Sequence, residues 1–425
     1  MSSDLRWRFS VMMFLEFLVW GGWFINIGPY LQHLEITSPI LSAFFLATLI
    51  SPFIGGQIAD RYMPTQIFMA IAHLIGGVLL IFLATLSNPL GMWWTLFIYS
   101  MIYAPTLALS NSICFHHLSD KTQEFGGIRV WGSIGWILAG LIMTFIWTYV
   151  FPYPGEWAQL QKIEDEALRA AQQAEYLRAE SWLFIMPGIA SLIFGVFCFF
   201  LPHTPPTTEK ANPWAFVEAF KMMKDVNFTI FMIISFVVST QLMFVFVSVP
   251  TLLEHLGMNR QYIPTAQVTQ QIMEVLSLFF FMKWLLPKIG IRNCLALAAF
   301  CWAVLYAAAG FGTTWQVVVP TLPLHGIGYV FFFVVGQMYV DTVAPPQIRA
   351  SAQGLITVVT IGLGMFLSDH FRLWITRLFT TDGVINYTGV FLVPCVLLLA
   401  CTAAFLFFFQ EPKKVDETNQ SQQQA

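Results

Sequence analysis

The chain alternates long apolar runs with short polar breaks. Twelve runs approach or exceed the about 20 residues that a helix needs to cross the hydrocarbon core of a bilayer. They lie at 9–31, 39–59, 66–86, 92–114, 128–150 and 182–202, then at 227–249, 265–287, 293–312, 317–340, 351–376 and 389–409. The first run is too long for a signal peptide, and no A-x-A-type cleavage site follows it. A polar, basic, proline-containing segment at 203–226 divides six spans from six. Residues 151–181 interrupt the first set, and within them 156–180 is rich in Ala, Glu, Gln and Arg and predicts an exposed, solvated helix. The tail, 410–425, is polar. The pattern predicts an all-α membrane protein of twelve transmembrane helices in two six-helix halves, 1–202 and 227–409.

Composition agrees with lipid as the main solvent. Hydrophobic residues make up 57% of the 425 positions and charged residues only 10%, against about 25% charged in soluble domains. Net charge is −3, so nothing suggests a nucleic-acid partner. The six cysteines fall in or at the ends of apolar runs, without C-x-x-C spacing, and read as packing residues. Lys and Arg mark the cytoplasmic side. With the N-terminus inside, fourteen of the 20 basic residues fall on inner segments, so both termini are expected in the cytoplasm.

No P-loop, H-E-x-x-H, G-x-S-x-G or metal-spaced cluster occurs. The expectation is a protein that is not an enzyme, with no cofactor and no metal: a channel, a facilitator or an ion-coupled transporter.

Ionisable residues inside a span are costly and usually face a cavity. Glu274 lies near the middle of the eighth span, with Gln271 three residues before it on the same helix face. Together they can accept from and donate to hydroxyls or a base edge. Desolvation penalises the charged form of a carboxyl, so Glu274 is suited to take up and release a proton. Arg129, Ser133 and Trp136 share a face of the fifth span at i, i+4 and i+7. They offer a charge, a hydroxyl and a stacking plate, or else Arg129 is a cytoplasmic anchor. Gln241 and Phe244 share a face in the seventh span, and His325, Tyr329 and Phe333 succeed one another in the tenth. Those two sets read either as site or as interhelical hydrogen bonds and packing. Glu16, Trp20 and Trp23 form a stripe in the first span, where Glu16 is either a second protonatable group or a helix-pairing residue. Asp369, His370 and Arg372 are expected to reach the outer interface. A flat ring carrying several hydroxyls suits this mixture of aromatics, amides and carboxyl; sugars fit it too.

Two features of the layout resemble the major facilitator superfamily. One is the six-plus-six arrangement around a cytoplasmic linker, with a substrate site between the halves. The other is G-G-Q-I-A-D-R-Y-M-P-T-Q at 55–66, with Asp60 in the turn after the second span. Six stretches narrow the resemblance: F-L-E-F-L-V-W-G-G-W-F (14–24), A-P-T-L-A-L-S-N-S-I (104–113), I-R-V-W-G-S-I-G-W (128–136), L-P-H-T-P (201–205), Q-I-M-E (271–274) and I-R-A-S-A-Q-G (348–354). In order and placement the chain resembles the nucleoside:proton symporter family, the bacterial nucleoside and xanthosine permeases.

That resemblance implies uptake of nucleosides with protons across the bacterial cytoplasmic (inner) membrane by a monomer. It implies that Arg129, Ser133, Trp136, Gln241, Gln271, Glu274 and Tyr329 line the site. The family's helix 10 has Asp directly after the aromatic, then an amide; here Val330 and Phe333 stand at those positions. If coupling survives, Glu274 and Glu16 must carry it. The alternatives are an uncoupled nucleoside facilitator or a sugar transporter on the same scaffold. A receptor or scaffold acting through 156–180 would leave the polar residues inside the bundle without a purpose.

Overall fold

In lipid, every backbone N–H and C=O must find its partner within the chain, and apolar runs of this length do so as helices. The computed structural model describes the backbone of residues 3–61, 63–118, 121–205, 219–345 and 348–410, and their side chains apart from those of 52–61, 121–123, Ala158 and Ala350. Most of the expected linker, the tail beyond Gln410 and the side chains of the Asp60 turn lie outside the described residues.

α1 (Ser3–Phe24) and α2 (Ile27–His33) correspond to the first expected span. α3 (Ser42–Arg61), α4 (Thr65–Leu83), α5 (Pro89–His117) and α6 (Lys121–Phe145) follow, and α6 runs on into a π-helical turn, Ile146–Val150. α7 (Trp157–Leu160) and α8 (Glu166–Glu180) form the insertion, and α9 (Trp182–Cys198) closes the first half.

In the second half, α10 (Val226–Ser239) and α11 (Val249–His255) make one segment, joined through a π-helical turn at Phe244–Ser248. α12 (Ile263–Leu276) leads through a second such turn into α13 (Met282–Phe311). Together, Arg260–Phe311 is 52 residues long. At 1.5 Å per residue that is about two and a half times what one crossing needs. It folds back at Gly290, whose φ of 78° and ψ of 174° suit glycine alone. The expected eighth and ninth spans are therefore the two limbs of this segment. α14 (Trp315–Val318), α15 (Pro323–Tyr329) and α16 (Val335–Val343) make the next segment, α17 (Arg349–Thr357) and α18 (Met365–Leu378) another, and α19 (Tyr387–Phe407) the last. A small hairpin, β1 (Thr380–Thr381) on β2 (Val384–Ile385), turns between α18 and α19.

Within the first half α1 packs on α6 and α9, α4 on α9 and α5, and α3 on α5. Within the second, α13 packs on α19 and α15. The halves meet where α6 lies against α12 and α3 against α18. The end that carries the insertion is called outer below.

Two expectations change here. The insertion is not a helix solvated all round. Asp165 caps α8 by accepting from the amides of Ala167 and Leu168, but Tyr176, Ala179 and Glu180 at its other end are buried. Asp369 and Arg372 do not reach outward to an interface either. Asp369 is fully buried, pairs with Arg372 at 2.8 Å and accepts from the Ser42 amide of the other half at 3.1 Å.

Candidate functional site

α6 is an uninterrupted α-helix from Lys121 to Phe145, so the i, i+4, i+7 spacing of Arg129, Ser133 and Trp136 does place them on one face. α12 likewise keeps Gln271 and Glu274 together. α15 lies flush on α12: a Cβ on Gly326 would strike the Gln270 carbonyl and the Glu274 amide. That close approach carries His325 and Tyr329 to the Gln271–Glu274 face. All seven side chains line one cavity between the halves, with Phe17, Trp20 and Phe24 of α1, Phe246, and Phe333.

The walls are mostly rings. Trp20 and Trp136 stand edge to face with centroids 5.2 Å apart. Phe24 meets Phe246 across the halves at 5.1 Å, and Phe246 meets the His325 ring at 5.0 Å. Tyr329 and Phe333 lie 4.7 Å apart. The Arg129 guanidinium sits 4.1 Å over the Phe17 ring, which holds the cation in place at its apolar face.

The polar atoms of this cavity are incompletely satisfied. Trp20 Nε1, Trp136 Nε1 and Gln271 Oε1 are buried without a hydrogen-bond partner. A buried polar group left unpaired costs about 1–3 kcal/mol, so the arrangement suits a ligand with its own donors and acceptors. Arg129 and Glu274 both line the cavity without closing to an ion pair. His325 Nδ1 accepts the indole N–H of Trp302 at 2.9 Å. Indole only donates, so the neutral imidazole must carry its proton on Nε2 and offer a donor.

Two sequence-predicted site residues lie elsewhere. Helix is interrupted at Thr240 and Gln241, and the next turns are π-helical, which changes the phase on which the Gln241–Phe244 pairing depended. Phe244 packs among Tyr306, Phe371 and Phe391 inside the second half. Gln241 donates to the Val237 carbonyl and Thr240 hydroxyl, and its Oε1 is buried and unpaired. Phe246 faces the cavity instead.

Glu16 is also outside the cavity. It is fully buried inside the first half, 3.3 Å from His73 Nε2, and accepts from the Thr106 hydroxyl at 2.7 Å. His73 in turn meets the Ser191 hydroxyl at 3.1 Å. Trp23 packs on Phe24, Phe44 and Tyr99, leaving Trp20 as the cavity member of that stripe. Sequence reasoning missed Phe17, Phe24, Phe246 and Trp302. A phenylalanine among 42 carries no signal of its own, and Trp302 acts from the neighbouring span.

Comparisons with known proteins place the chain in a family. The nucleoside H+ symporter family model matches residues 3–153 and 167–414. The Escherichia coli protein YegT, provisionally named a nucleoside transporter, is 30% identical over 95% of this chain and 93% of its own. The xanthosine permease of the same organism is 25% identical over 97% and 98%. The crystal structure of the nucleoside transporter NupG superposes with a TM-score of 0.80 at 23% identity, covering 96% of this chain and 100% of that one. The fold is that of the major facilitator transporters. By length of match and by the YegT relationship, the chain belongs to the nucleoside H+ symporter family.

Proposed function

We propose that this chain is a monomeric, multi-pass carrier in the bilayer of the bacterial inner membrane that takes up nucleosides together with protons by alternating access. Twelve spans with both termini cytoplasmic complete the reading. One observation carries it: side chains from both halves converge on a ring-walled cavity whose buried Trp20, Trp136 and Gln271 atoms lack partners. The base stacks on the indoles. The ribose hydroxyls and base edge take the hydrogen bonds of Gln271, Ser133, Tyr329, His325 and Arg129. Glu274 is the coupling carboxyl, and Glu16 with His73 is a second protonatable group. The names of the relatives above support nucleosides as the solute, and the chain performs no covalent step.

A second reading has its own support. Val330 is buried and Phe333 is a cavity wall where the family has an acid and an amide, so an uncoupled nucleoside facilitator or a sugar carrier would need no further carboxyl. Uptake of labelled nucleosides and hexoses into vesicles, with and without an inward proton gradient, separates the two. Accumulation of nucleoside that collapses with protonophore supports symport. Indifference to the gradient, or competition by hexose alone, overturns it.

A further inference from the structure

At the outer end, four charges from the two halves meet, three of them buried and the fourth, Glu254, partly exposed. Arg260, which precedes α12, is 4% exposed; Glu180, the last residue of α8, is fully buried; His33, the last of α2, is 6% exposed. Arg260 Nε donates to Glu180 Oε1 at 2.9 Å, and its terminal nitrogens donate to the carbonyl and side-chain oxygens of Asn26 at 3.0 and 3.4 Å. The guanidinium lies 4.6 Å over the Trp147 ring. His33 Nδ1 stands 2.8 Å from Glu180 Oε2 and its Nε2 stands 3.1 Å from Glu254 Oε1. Ionised carboxylates only accept, so a ring facing one at each nitrogen is an imidazolium. The cluster then holds two cations and two anions.

The insertion builds this cluster. Trp157 lies tilted over the His33 ring with centroids 4.6 Å apart, Tyr176 meets that ring edge to face at 5.2 Å, and the Tyr176 hydroxyl donates to Glu254 at 3.2 Å. Trp147 donates to the Ala179 carbonyl at 2.9 Å and so fixes the end of α8. The other titratable groups around the carboxylates are Tyr30 of α2, Tyr153 of the insertion and Tyr387 of α19. The groups that Arg260 hydrogen-bonds or stacks on, Glu180, Asn26 and Trp147, are in the first half, and Glu254, the second carboxylate on His33, is in the second.

We propose that Arg260–Glu180 and His33–Glu254, assembled on the insertion, are the latch that holds the outer ends of the halves together and sets how readily the carrier opens outward. Separating the halves returns these groups to water, where each is satisfied alone. Removing one charge therefore penalises only the closed state, which must bury the charge left behind. The equilibrium moves toward outward-open. This rests on the alternating-access reading, but its test needs no solute, so its failure would leave nucleoside uptake standing.

The reporter is Val268→Cys. Val268 is 3% exposed and packs against Gly140 across the seam between α12 and α6, and all six native cysteines are buried. Intact, right-side-out vesicles are treated with a membrane-impermeant thiol reagent. Glu180→Gln and Arg260→Gln should each raise the labelling rate at least tenfold. Combining them restores charge balance, so the double variant should label more slowly than either alone. Tyr176→Phe removes one hydrogen bond and no charge; it should raise labelling a few-fold, and it stays informative if a charge variant does not reach the membrane. Parental labelling rates in the charge variants that fold, and in Tyr176→Phe, would overturn the latch.

Discussion

Trp302 donates its indole N–H to Nδ1 of His325 at 2.9 Å, with both residues buried. The bond selects one tautomer from behind the cavity and leaves Nε2–H to donate. Trp302→Phe keeps an aromatic ring and removes the selector. With a net hydrogen bond contributing about 0.5–1.5 kcal/mol, nucleoside binding should weaken about three- to tenfold while the protein stays folded. Unchanged affinity in a calorimetric titration would mean that the ligand takes no hydrogen bond from His325.

Gln271 has a buried, unpaired Oε1 in the cavity. Gln271→Ala removes that acceptor without disturbing a protein hydrogen bond. The expected loss is about tenfold in affinity, since about 1.4 kcal/mol is a factor of ten. The same titration checks it, and an unaltered dissociation constant would remove Gln271 from the site.

Trp136 stands edge to face with Trp20. Base stacking on an aromatic contributes about 1–3 kcal/mol in single-stranded nucleic-acid sites, and a nucleoside offers the same face. Trp136→Ala should lose binding on that scale, whereas Trp136→Phe should recover most of the stacking part. If Phe and Ala are equally poor binders, the indole N–H is the contact that matters.

Glu274 is the carboxyl that lines the cavity. Glu274→Gln keeps the shape and mimics the protonated form. Proton-driven accumulation should vanish while exchange of preloaded nucleoside persists. Both modes are measured in the same reconstituted vesicles. Accumulation that survives under an inward proton gradient moves the coupling role to Glu16 and His73.

The latch has a pH dependence with a definite sign. His33 can donate to Glu180 and Glu254 together only when protonated, so the closed outer face binds that proton more tightly than the open one. By linkage, closure is favoured at low outside pH and lost as pH rises. Labelling of Val268→Cys, divided by that of an exposed Gln159→Cys thiol, should increase toward alkaline pH. His33→Gln should flatten the profile; an unchanged profile in that variant would assign the proton elsewhere.

Regular helix made much of the site legible. Arg129, Ser133 and Trp136 share a face because α6 is unbroken through them, and Gln271 and Glu274 do so for the same reason in α12. Gln241 and Phe244 did not follow, because the helix is interrupted at Thr240–Gln241 and then widens. That stretch, S-T-Q-L-M-F, contains neither Pro nor Gly to announce a change of phase. Glu16 shows another limit. A spacing of four ties it loosely to Trp20, yet Trp20 faces the cavity and Glu16 faces His73. A face about 100° wide can look two ways when helices pack on both flanks.

Apolar run length and the scarcity of charge determined, without coordinates, that this chain spans a membrane as helices, because lipid offers backbone polar groups no partner. The i, i+3 and i, i+4 spacings determined which polar residues travel together on a helix, because that relation is internal to each helix. Which helix faces which is another matter. His325 on Trp302, Glu16 on His73 and Arg260 on Glu180 join residues 23, 57 and 80 positions apart. Their meeting depends on where helices cross and how deeply each is seated, down to the absent side chain of Gly326 against Gln270 and Glu274. The same dependence turned the insertion from an expected solvated helix into one that buries Glu180. A carboxylate at the end of a polar helix reads as solvated until its cation, supplied by the opposite half, is in place beside it.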